Sequence, residues 1–325
     1  MTLEEIIKAI KPARNIAVIG HISPDPDAIG AVCALSECLE SIGKNVFRIF
    51  EDPIPSKLEF ILNGKEVIDY FPKDKGIDLI VFCDISSTNL IGKKLLESFE
   101  SLLGSVPSIC IDHHESNDNY ATFNYVDKKA AATCEIMYDV LKKLNFKITK
   151  SASDALYAGL SADTGSFRFS STTYHTHLVA AKLLKAGAAN YDISTTLWSS
   201  EPIKTMELKK VILNRLEYFF DNRLALSYIT KDDMEKIGAN KDYISGLVGN
   251  IRDIEGVVLA VLFYEEDENW KMSVRSKDEK VSTLPITTFY GGGGHFMASG
   301  ARLSKELRAD EIIKEVKRIA ALELG

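Results

Sequence analysis

Three short apolar segments, separated by helical patterns, constrain the fold of this chain more than any other feature. They cover residues 15–20 (NIAVIG), 77–83 (IDLIVFC) and 108–111 (SICI). Continuous apolar runs of this length are typical of strands buried on both faces of a parallel sheet. Patterns typical of helices follow at 27–43, 130–144, 151–162 and 174–186. Strands that alternate with helices predict an α/β fold with a mainly parallel sheet covered on both faces.

Ionisable side chains directly follow each apolar segment. They are His21, Asp25 and Asp27 after the first, Asp84 after the second, and Asp112, His113 and His114 after the third. In open α/β sheets, ligands bind beyond the carboxyl ends of the strands, so we expect these groups to share one edge. Asp163 ends a helical pattern and is a further candidate.

Each of these residues also has an ordinary structural interpretation. Asp25 and Asp27 are residues favoured at helix N-caps, and Asp163 fits an Asp-Thr-Gly turn. However, this many ionisable groups beside apolar strand ends would be costly unless they were paired or bound to cations. Together they predict a metal site. Aspartates with histidine suit a divalent ion, Mn²⁺ ahead of Mg²⁺, and the set is large enough for two ions.

The second half of the chain predicts a smaller domain. We expect a catalytic domain over 1–190, a helical connector over 191–220 with a long helix at 205–220, and a substrate-binding α/β domain over 221–325. Strand patterns at 257–264 and 270–275 with a polar turn between them predict a hairpin. The glycine run 291–294 before His295 would let the backbone approach a ligand and present amide donors, although a flexible turn is the alternative.

Composition and charge limit the classes of partner that the chain could bind. The net charge is −7 and no basic stripe is visible, which argues against binding of long duplex nucleic acid. Five cysteines without a CxxC pair, an acidic N-terminus and the lack of a long apolar run predict a cytoplasmic protein with no membrane partner. A homodimer is the default among oligomers, but no feature of the sequence selects it.

Five motifs in one order then indicate a family. They are HISPDPDAIGA (21–31), Asp84 in VFCDIS, CIDHHESN (110–117), GLSADTGSFRF (159–169) and GGGGHFMASG (291–300). The chain resembles the DHH phosphoesterase superfamily, which is named after the triplet at 112–114, with its DHH-associated C-terminal domain. This resemblance covers essentially the whole chain. It implies an N-terminal parallel-sheet domain, a smaller C-terminal α/β domain and an active site in the cleft between them.

The resemblance also implies a role for each matching residue. One metal ion would be held by His21, Asp25 and Asp84, and the other by Asp27, Asp84, His113 and Asp163, with a bound water as the nucleophile. His114 would lie at the phosphate or protonate the leaving oxygen, and Asp112 would orient a histidine. Substrate contacts would come from Asn117, Arg168, Arg275, Ser276, Gly292, Gly293, Gly294 and His295. A surface role is the alternative for Arg168.

Features that the chain lacks separate the branches of this superfamily. It has no room for the extra domain of RecJ-type exonucleases, no transmembrane segments of membrane-bound cyclic-dinucleotide phosphodiesterases, and a GGGH loop in place of the basic segment of family II pyrophosphatases. The nano-RNase branch remains: enzymes that cleave very short single-stranded RNA or dinucleotides to mononucleotides, with pAp and pApA as further substrates. A dedicated cyclic di-AMP or pApA phosphodiesterase is one alternative. Leu90 stands where close relatives often carry arginine, which leaves the exact substrate preference open. A non-catalytic nucleotide-binding protein is the other, although the intact ligand set argues against it.

Overall fold

The computed structural model describes residues 2–102, 104–244 and 246–324. The chain forms two compact units, the first ending at Ser200 and the second beginning at Glu201. Among the described residues, no helix combines the length and the apolar character that crossing a bilayer requires.

Within its described residues, the first unit contains eight α-helices and five strands. The helices are Leu3–Ile10 (α1), Pro26–Ser41 (α2), Glu59–Leu62 (α3), Lys93–Phe99 (α4), Thr133–Lys143 (α5), Lys150–Asp163 (α6), Tyr174–Ala186 (α7) and Asn190–Trp198 (α8). The strands are Asn15–Ile19 (β1), Asn45–Ile49 (β2), Leu79–Cys83 (β3), Ser108–Asp112 (β4) and Phe123–Val126 (β5).

These five strands form one parallel sheet in the order β2-β1-β3-β4-β5. Successive residues of β1 alternate between two hydrophobic clusters: Ile16 and Val18 pack into one, and Ala17 and Ile19 into the other. The sheet is therefore covered on both faces, which explains why β3 and β4 read as continuous apolar runs. The predicted fold class is confirmed, and all five strands end at the same edge.

The second unit contains five α-helices and six strands in the part of the chain that the structure describes. The helices are Ile203–Asn214 (α9), Lys231–Ile237 (α10), Leu247–Arg252 (α11), Leu284–Phe289 (α12) and Ala309–Leu324 (α13). The strands are Glu217–Phe219 (β6), Leu224–Ile229 (β7), Leu259–Glu265 (β8), Asn269–Ser276 (β9), Gly293–His295 (β10) and Ala298–Ser304 (β11). The sheet order is β10-β11-β9-β8-β7-β6, and only the β7–β8 pair is parallel among these strands.

The prediction of a long helix over 205–220 is wrong for its C-terminal part. Helix α9 ends at Asn214, and Glu217–Phe219 pairs antiparallel with β7 at the edge of the sheet. Helical periodicity does not reveal this, because a three-residue edge strand is formed by pairing with a neighbour rather than by its own pattern. The hairpin expected around residues 265–269 is confirmed by the antiparallel β8–β9 pair.

Candidate metal centre

Side chains from four segments of the first unit converge beyond the carboxyl ends of its strands. Three groups place one ligand atom of each member within 4.8 Å of the others: His21, Asp25 and Asp84; Asp84, His113 and His114; Asp27, His113 and Asp163. We call these seven residues the carboxylate–histidine cluster. Sequence reasoning selected all seven, and the structure brings them together.

Asp84 lies at the centre of the cluster. It follows β3 with a left-handed backbone (φ 62°), which is uncommon for a non-glycine residue, and its amide extends the ladder by donating to the carbonyl of Ile111 at 3.0 Å. Its side chain is 2% exposed. Its Oδ2 lies 3.5 Å from Nε2 of His21, and its Oδ1 lies 3.7 Å from Nε2 of His113. The two oxygens of one carboxylate therefore face two different histidines.

Both of these histidines present Nε2 to carboxylates. Nδ1 of His21 lies 2.7 Å from the carbonyl of Ile22, and Nδ1 of His113 lies 3.3 Å from the carbonyl of Ala130. A ring nitrogen beside a carbonyl carries the proton, so the lone pair of a neutral ring is on Nε2. Histidine ligands of metal ions are typically oriented by such a hydrogen bond at the other nitrogen. The geometry of both side chains therefore fits a metal ligand.

The electrostatics of the cluster favour a cation. Burial opposes the charged form of His21, but hydrogen bonds to Asp25 and Asp84 outweigh it and raise the pKa to about 11. For His113, burial is outweighed by the hydrogen bond to Asp163 and by the neighbouring carboxylates, so the pKa is raised to about 10. Burial and the nearby carboxylates raise the pKa of Asp27 well above its usual range. The carboxylates thus crowd one another and need positive charge between them.

Asp25 also has the structural role that its sequence position suggested. It is the N-cap of α2 and accepts hydrogen bonds from the amides of Asp27 and Ala28, both at 3.0 Å. Its side chain remains 46% exposed and lies 3.5 Å from Nε2 of His21. Oδ1 accepts both capping bonds and also faces His21, so the cap fixes this carboxylate beside the ring.

Asp112 contacts the Nδ1 side of the His114 ring. It is fully buried and accepts hydrogen bonds from Nδ1 of His114 at 2.7 Å, from Nδ2 of Asn117 at 2.6 Å and from the His113 amide at 2.9 Å. The hydrogen bond that His114 donates to Asp112 raises the pKa of His114 despite its partial burial. His114 is therefore held by Nδ1, with Nε2 left available.

Of the two substrate-contact candidates in this unit, Asn117 is buried and Arg168 is exposed. Asn117 is 8% exposed, and both ends of its amide are engaged, since Nδ2 donates to Asp112 and Oδ1 accepts from the amide of Asn119 at 2.8 Å. It therefore supports Asp112 from behind. Arg168 is exposed, lies 6.0 Å above the ring of Trp198, and donates from Nε to the carbonyl of Gly165 at 2.6 Å.

The other substrate-contact candidates lie together in the second unit, on β9, β10 and the residues just before β10. Ala298 of β11 pairs with His295 on one side and with Arg275 on the other. Burial lowers the pKa of Arg275, and its neighbour Arg252 adds to the effect. Ser276 is 4% exposed, and its hydroxyl donates to the carbonyl of Asp278 at 2.9 Å, so its side chain is used within the turn.

Sequence reasoning missed the first turn of α5. The amides of Thr133 and Cys134 donate to the two oxygens of Asp27 at 2.6 and 2.8 Å, and the hydroxyl of Thr133 donates to Oδ1 of Asp84 at 2.9 Å. No local sequence signal marks these contacts, because the two carboxylates come from segments 106 and 49 positions away in the chain.

Comparisons with known proteins agree with this architecture. Residues 15–160 match the DHH family, N-terminal domain, and residues 221–322 match the DHHA1 domain. The chain is 30% identical over 320 residues to the bifunctional oligoribonuclease and PAP phosphatase NrnA of Bacillus subtilis, which covers 97% of both chains. It is 31% identical over 321 residues to the protein of the same name from Thermus thermophilus, covering 98% of this chain and 93% of that one.

A solved structure shows the same fold. The exopolyphosphatase-related protein from Bacteroides fragilis superimposes with a TM-score of 0.89 at 23% identity, covering 99% of this chain and 96% of that one.

Proposed function

We propose that this chain, which belongs to the DHH family of phosphoesterases, hydrolyses very short oligoribonucleotides to mononucleotides in a metal-dependent reaction, with pAp and pApA as further substrates. The observation that carries this proposal is the carboxylate–histidine cluster around Asp84 in a chain similar along its whole length to enzymes named oligoribonuclease and PAP phosphatase.

Two divalent ions fit the donor set. His21, Asp25 and Asp84 would hold one, and Asp27, His113 and Asp163 would hold the other together with Asp84, whose two oxygens face both sides. Histidine among the carboxylates favours Mn²⁺ over Mg²⁺. Such ions lower the pKa of bound water and neutralise charge on the phosphate when they are present.

His114 is the proposed general acid. Its Nδ1 is hydrogen-bonded to Asp112, which keeps the ring oriented and raises its pKa, and Nε2 is the ring nitrogen left to carry the transferred proton. That proton would pass to the leaving oxygen of the phosphate ester. In this proposal Asp112 orients His114, and Asn117 orients Asp112.

We assign recognition of the nucleotide to residues outside the carboxylate–histidine cluster. In the first unit, Arg168 is suited to a phosphate, because it is an exposed residue and a guanidinium can bind phosphate through two hydrogen bonds. In the second unit, Arg275, His295 and the amides of residues 292–294 would contact the nucleotide end of the substrate, with Ser276 supporting the turn. The net charge of −7 disfavours long polyanions, which fits a short substrate.

The test is product analysis with protein stripped of metal and then supplied with Mn²⁺ or Mg²⁺. A 5′-labelled RNA length series, pApA, pAp and cyclic di-AMP serve as substrates. We expect conversion of the shortest RNAs to mononucleotides, with rates that fall as length increases. Turnover of pApA or cyclic di-AMP without any turnover of RNA would overturn the nano-RNase assignment in favour of a second-messenger phosphodiesterase.

A matched pair of variants ties the activity to the cluster. Asp84→Asn changes the central carboxylate, whereas Asp139→Asn changes an aspartate that is 44% exposed and paired with His175. Activity should be lost in the first variant and kept in the second. Equal activity in both would show that the cluster is not the reaction site.

A further inference from the structure

Thr133 contacts two of the proposed metal ligands with two different groups. Its amide donates to Oδ2 of Asp27 at 2.6 Å, and its hydroxyl donates to Oδ1 of Asp84 at 2.9 Å. All three residues are buried, with 0% exposure for Thr133 and Asp27 and 2% for Asp84. These bonds join residues that are 106 and 49 positions apart in the chain.

The first turn of α5 holds Asp27 by both oxygens, since the Cys134 amide donates to Oδ1 at 2.8 Å. The first amides of a helix have no partner within it, and they carry partial positive charge that suits a carboxylate. Each carboxylate oxygen has a second lone pair, so Asp27 can accept these bonds and still bind a cation.

The Asp27 carboxylate is held by backbone amides, whereas the Asp84 carboxylate is held by the hydroxyl of Thr133. Within residues 2–102, 104–244 and 246–324, Thr133 supplies the one hydroxyl hydrogen bond to the Asp84 carboxylate. The backbone of Asp84 is left-handed, so its side chain does not leave the strand end in the usual direction. The hydroxyl therefore sets the rotation of a carboxylate whose two oxygens face His21 and His113.

The surroundings leave little room for another arrangement. A Cβ atom at Gly159 of α6 would lie 2.4 Å from Sγ of Cys134 and 2.8 Å from Oδ1 of Asp27. Close packing of α6 against α5 and Asp27 thus keeps the first turn of α5 in place.

From these contacts we infer that Thr133 is a positioning residue that couples Asp27 to Asp84 and thereby sets the geometry of the metal centre. This inference rests on the proposed function. It predicts that loss of the hydroxyl weakens metal binding and slows the reaction, although no ligand and no substrate contact is removed.

Three variants and a control test the inference. Thr133→Val removes the hydroxyl at nearly constant shape, Thr133→Ala removes it if the valine variant does not fold, and Thr133→Ser retains it. Ser153→Ala is the control, because Ser153 is fully buried in α6 and its hydroxyl donates to the carbonyl of Lys150 in the same helix. Circular dichroism melting identifies the folded variants.

Two quantities are measured: the Kd for Mn²⁺ by titration calorimetry on metal-free protein, and kcat and KM on a short RNA. In Thr133→Val we expect a rise in Kd and a fall in kcat of about 10- to 100-fold, the usual cost of losing a residue that orients a metal ligand. KM should stay unchanged, and Thr133→Ser and Ser153→Ala should match the wild type.

The outcomes separate the two proposals. Wild-type protein that neither binds Mn²⁺ nor cleaves any substrate would overturn the proposed function. Wild-type activity together with unchanged Kd and kcat in the folded hydroxyl-free variants would overturn only the role of Thr133. Equal losses in Thr133→Ser and Thr133→Val would show that packing, not the hydroxyl, matters there.

Discussion

The carboxylate–histidine cluster and the loop that carries the glycine run are built in opposite ways. The cluster takes side chains from four separate segments of the first unit, largely buries them, and holds them through tertiary hydrogen bonds. The glycine hairpin, residues 291–300 with β10 and β11, is local and exposed along most of β10. The cluster thus presents ionisable side chains held by distant segments, whereas the glycine hairpin presents mainly exposed backbone.

The glycines of the hairpin differ in how tightly their surroundings constrain them. A Cβ atom at Gly292 would lie 2.2 Å from the carbonyl of Gly300, and Gly294 has a φ of +143° with contacts at 2.6 Å. Gly293 has neither constraint, because a Cβ atom there would meet nothing within 4 Å. The fold therefore requires glycine at 292 and 294, whereas at 293 it leaves open space beside the backbone.

The largest expected effect is at the centre of the cluster. Asp84→Asn should lower kcat/KM by about 10³-fold or more, because several kcal/mol of transition-state stabilisation depend on the metal ions that it would bind. Steady-state kinetics with a short RNA measures the effect, with Asp139→Asn as control. A loss below tenfold would mean that the cluster is not the reaction site.

Metal removal should affect the two units unequally. Chelation should abolish activity, and returned Mn²⁺ should restore it and raise the melting temperature, since a ligand that binds only the folded state stabilises it. Hydrogen exchange should show this protection in the first turn of α5 and around Asp84. Protection confined to the glycine hairpin would place the ion in the second unit and contradict its assignment to the carboxylate–histidine cluster.

A smaller effect is expected from the general acid. His114→Gln should lower kcat by about 10²- to 10⁴-fold, the range typical of a positioned acid, with the Kd for Mn²⁺ unchanged. The Nε2 of His114 is free for this task because Asp112 occupies Nδ1. Weaker Mn²⁺ binding in the variant would instead identify His114 as a metal ligand, in line with its grouping with Asp84 and His113.

Two alanine substitutions test the glycine hairpin. Gly292→Ala should lower the melting temperature, because the new methyl group would overlap the carbonyl of Gly300. Gly293→Ala should leave it unchanged and raise KM for short RNA by about tenfold, because the added methyl group would keep the ligand away from the amides at a cost similar to that of one hydrogen bond. Unchanged KM in Gly293→Ala would remove this backbone from substrate recognition.

The smallest effect concerns the stability of the second unit. Burial opposes ionisation of Asp233, but hydrogen bonds from Arg215 and Thr230 outweigh it and lower its pKa below the usual 3.8. Stability gained from the carboxylate is therefore present above pH 3.8 and lost as pH falls through the lowered value.

Asp233→Asn should accordingly reduce the free energy of unfolding by about 1 kcal/mol at pH 7, and this difference should vanish in strong acid. Urea denaturation at several pH values measures it. The kinetic constants should not change, because Asp233 contacts neither the cluster nor the glycine hairpin among the described residues. A change in kcat would contradict the separation of the two regions.

Much of the candidate site could be predicted from sequence because its residues follow strand ends. Asp84 and Asp112 directly follow or end buried apolar runs, and parallel strands bring such positions to one edge. The hydrogen bond from Nδ2 of Asn117 to Asp112 could not be predicted, because side-chain direction within a loop follows from packing rather than from position in a motif.

By itself, the sequence determined the alternation of strands and helices, the seven members of the carboxylate–histidine cluster and their family. These features are local, since periodicity and motif order can be read within a few residues. Only the tertiary structure decided that Thr133 joins Asp27 to Asp84 and that 217–219 forms an edge strand. Both depend on hydrogen bonds to segments that packing brings close, and no local pattern encodes such a neighbour.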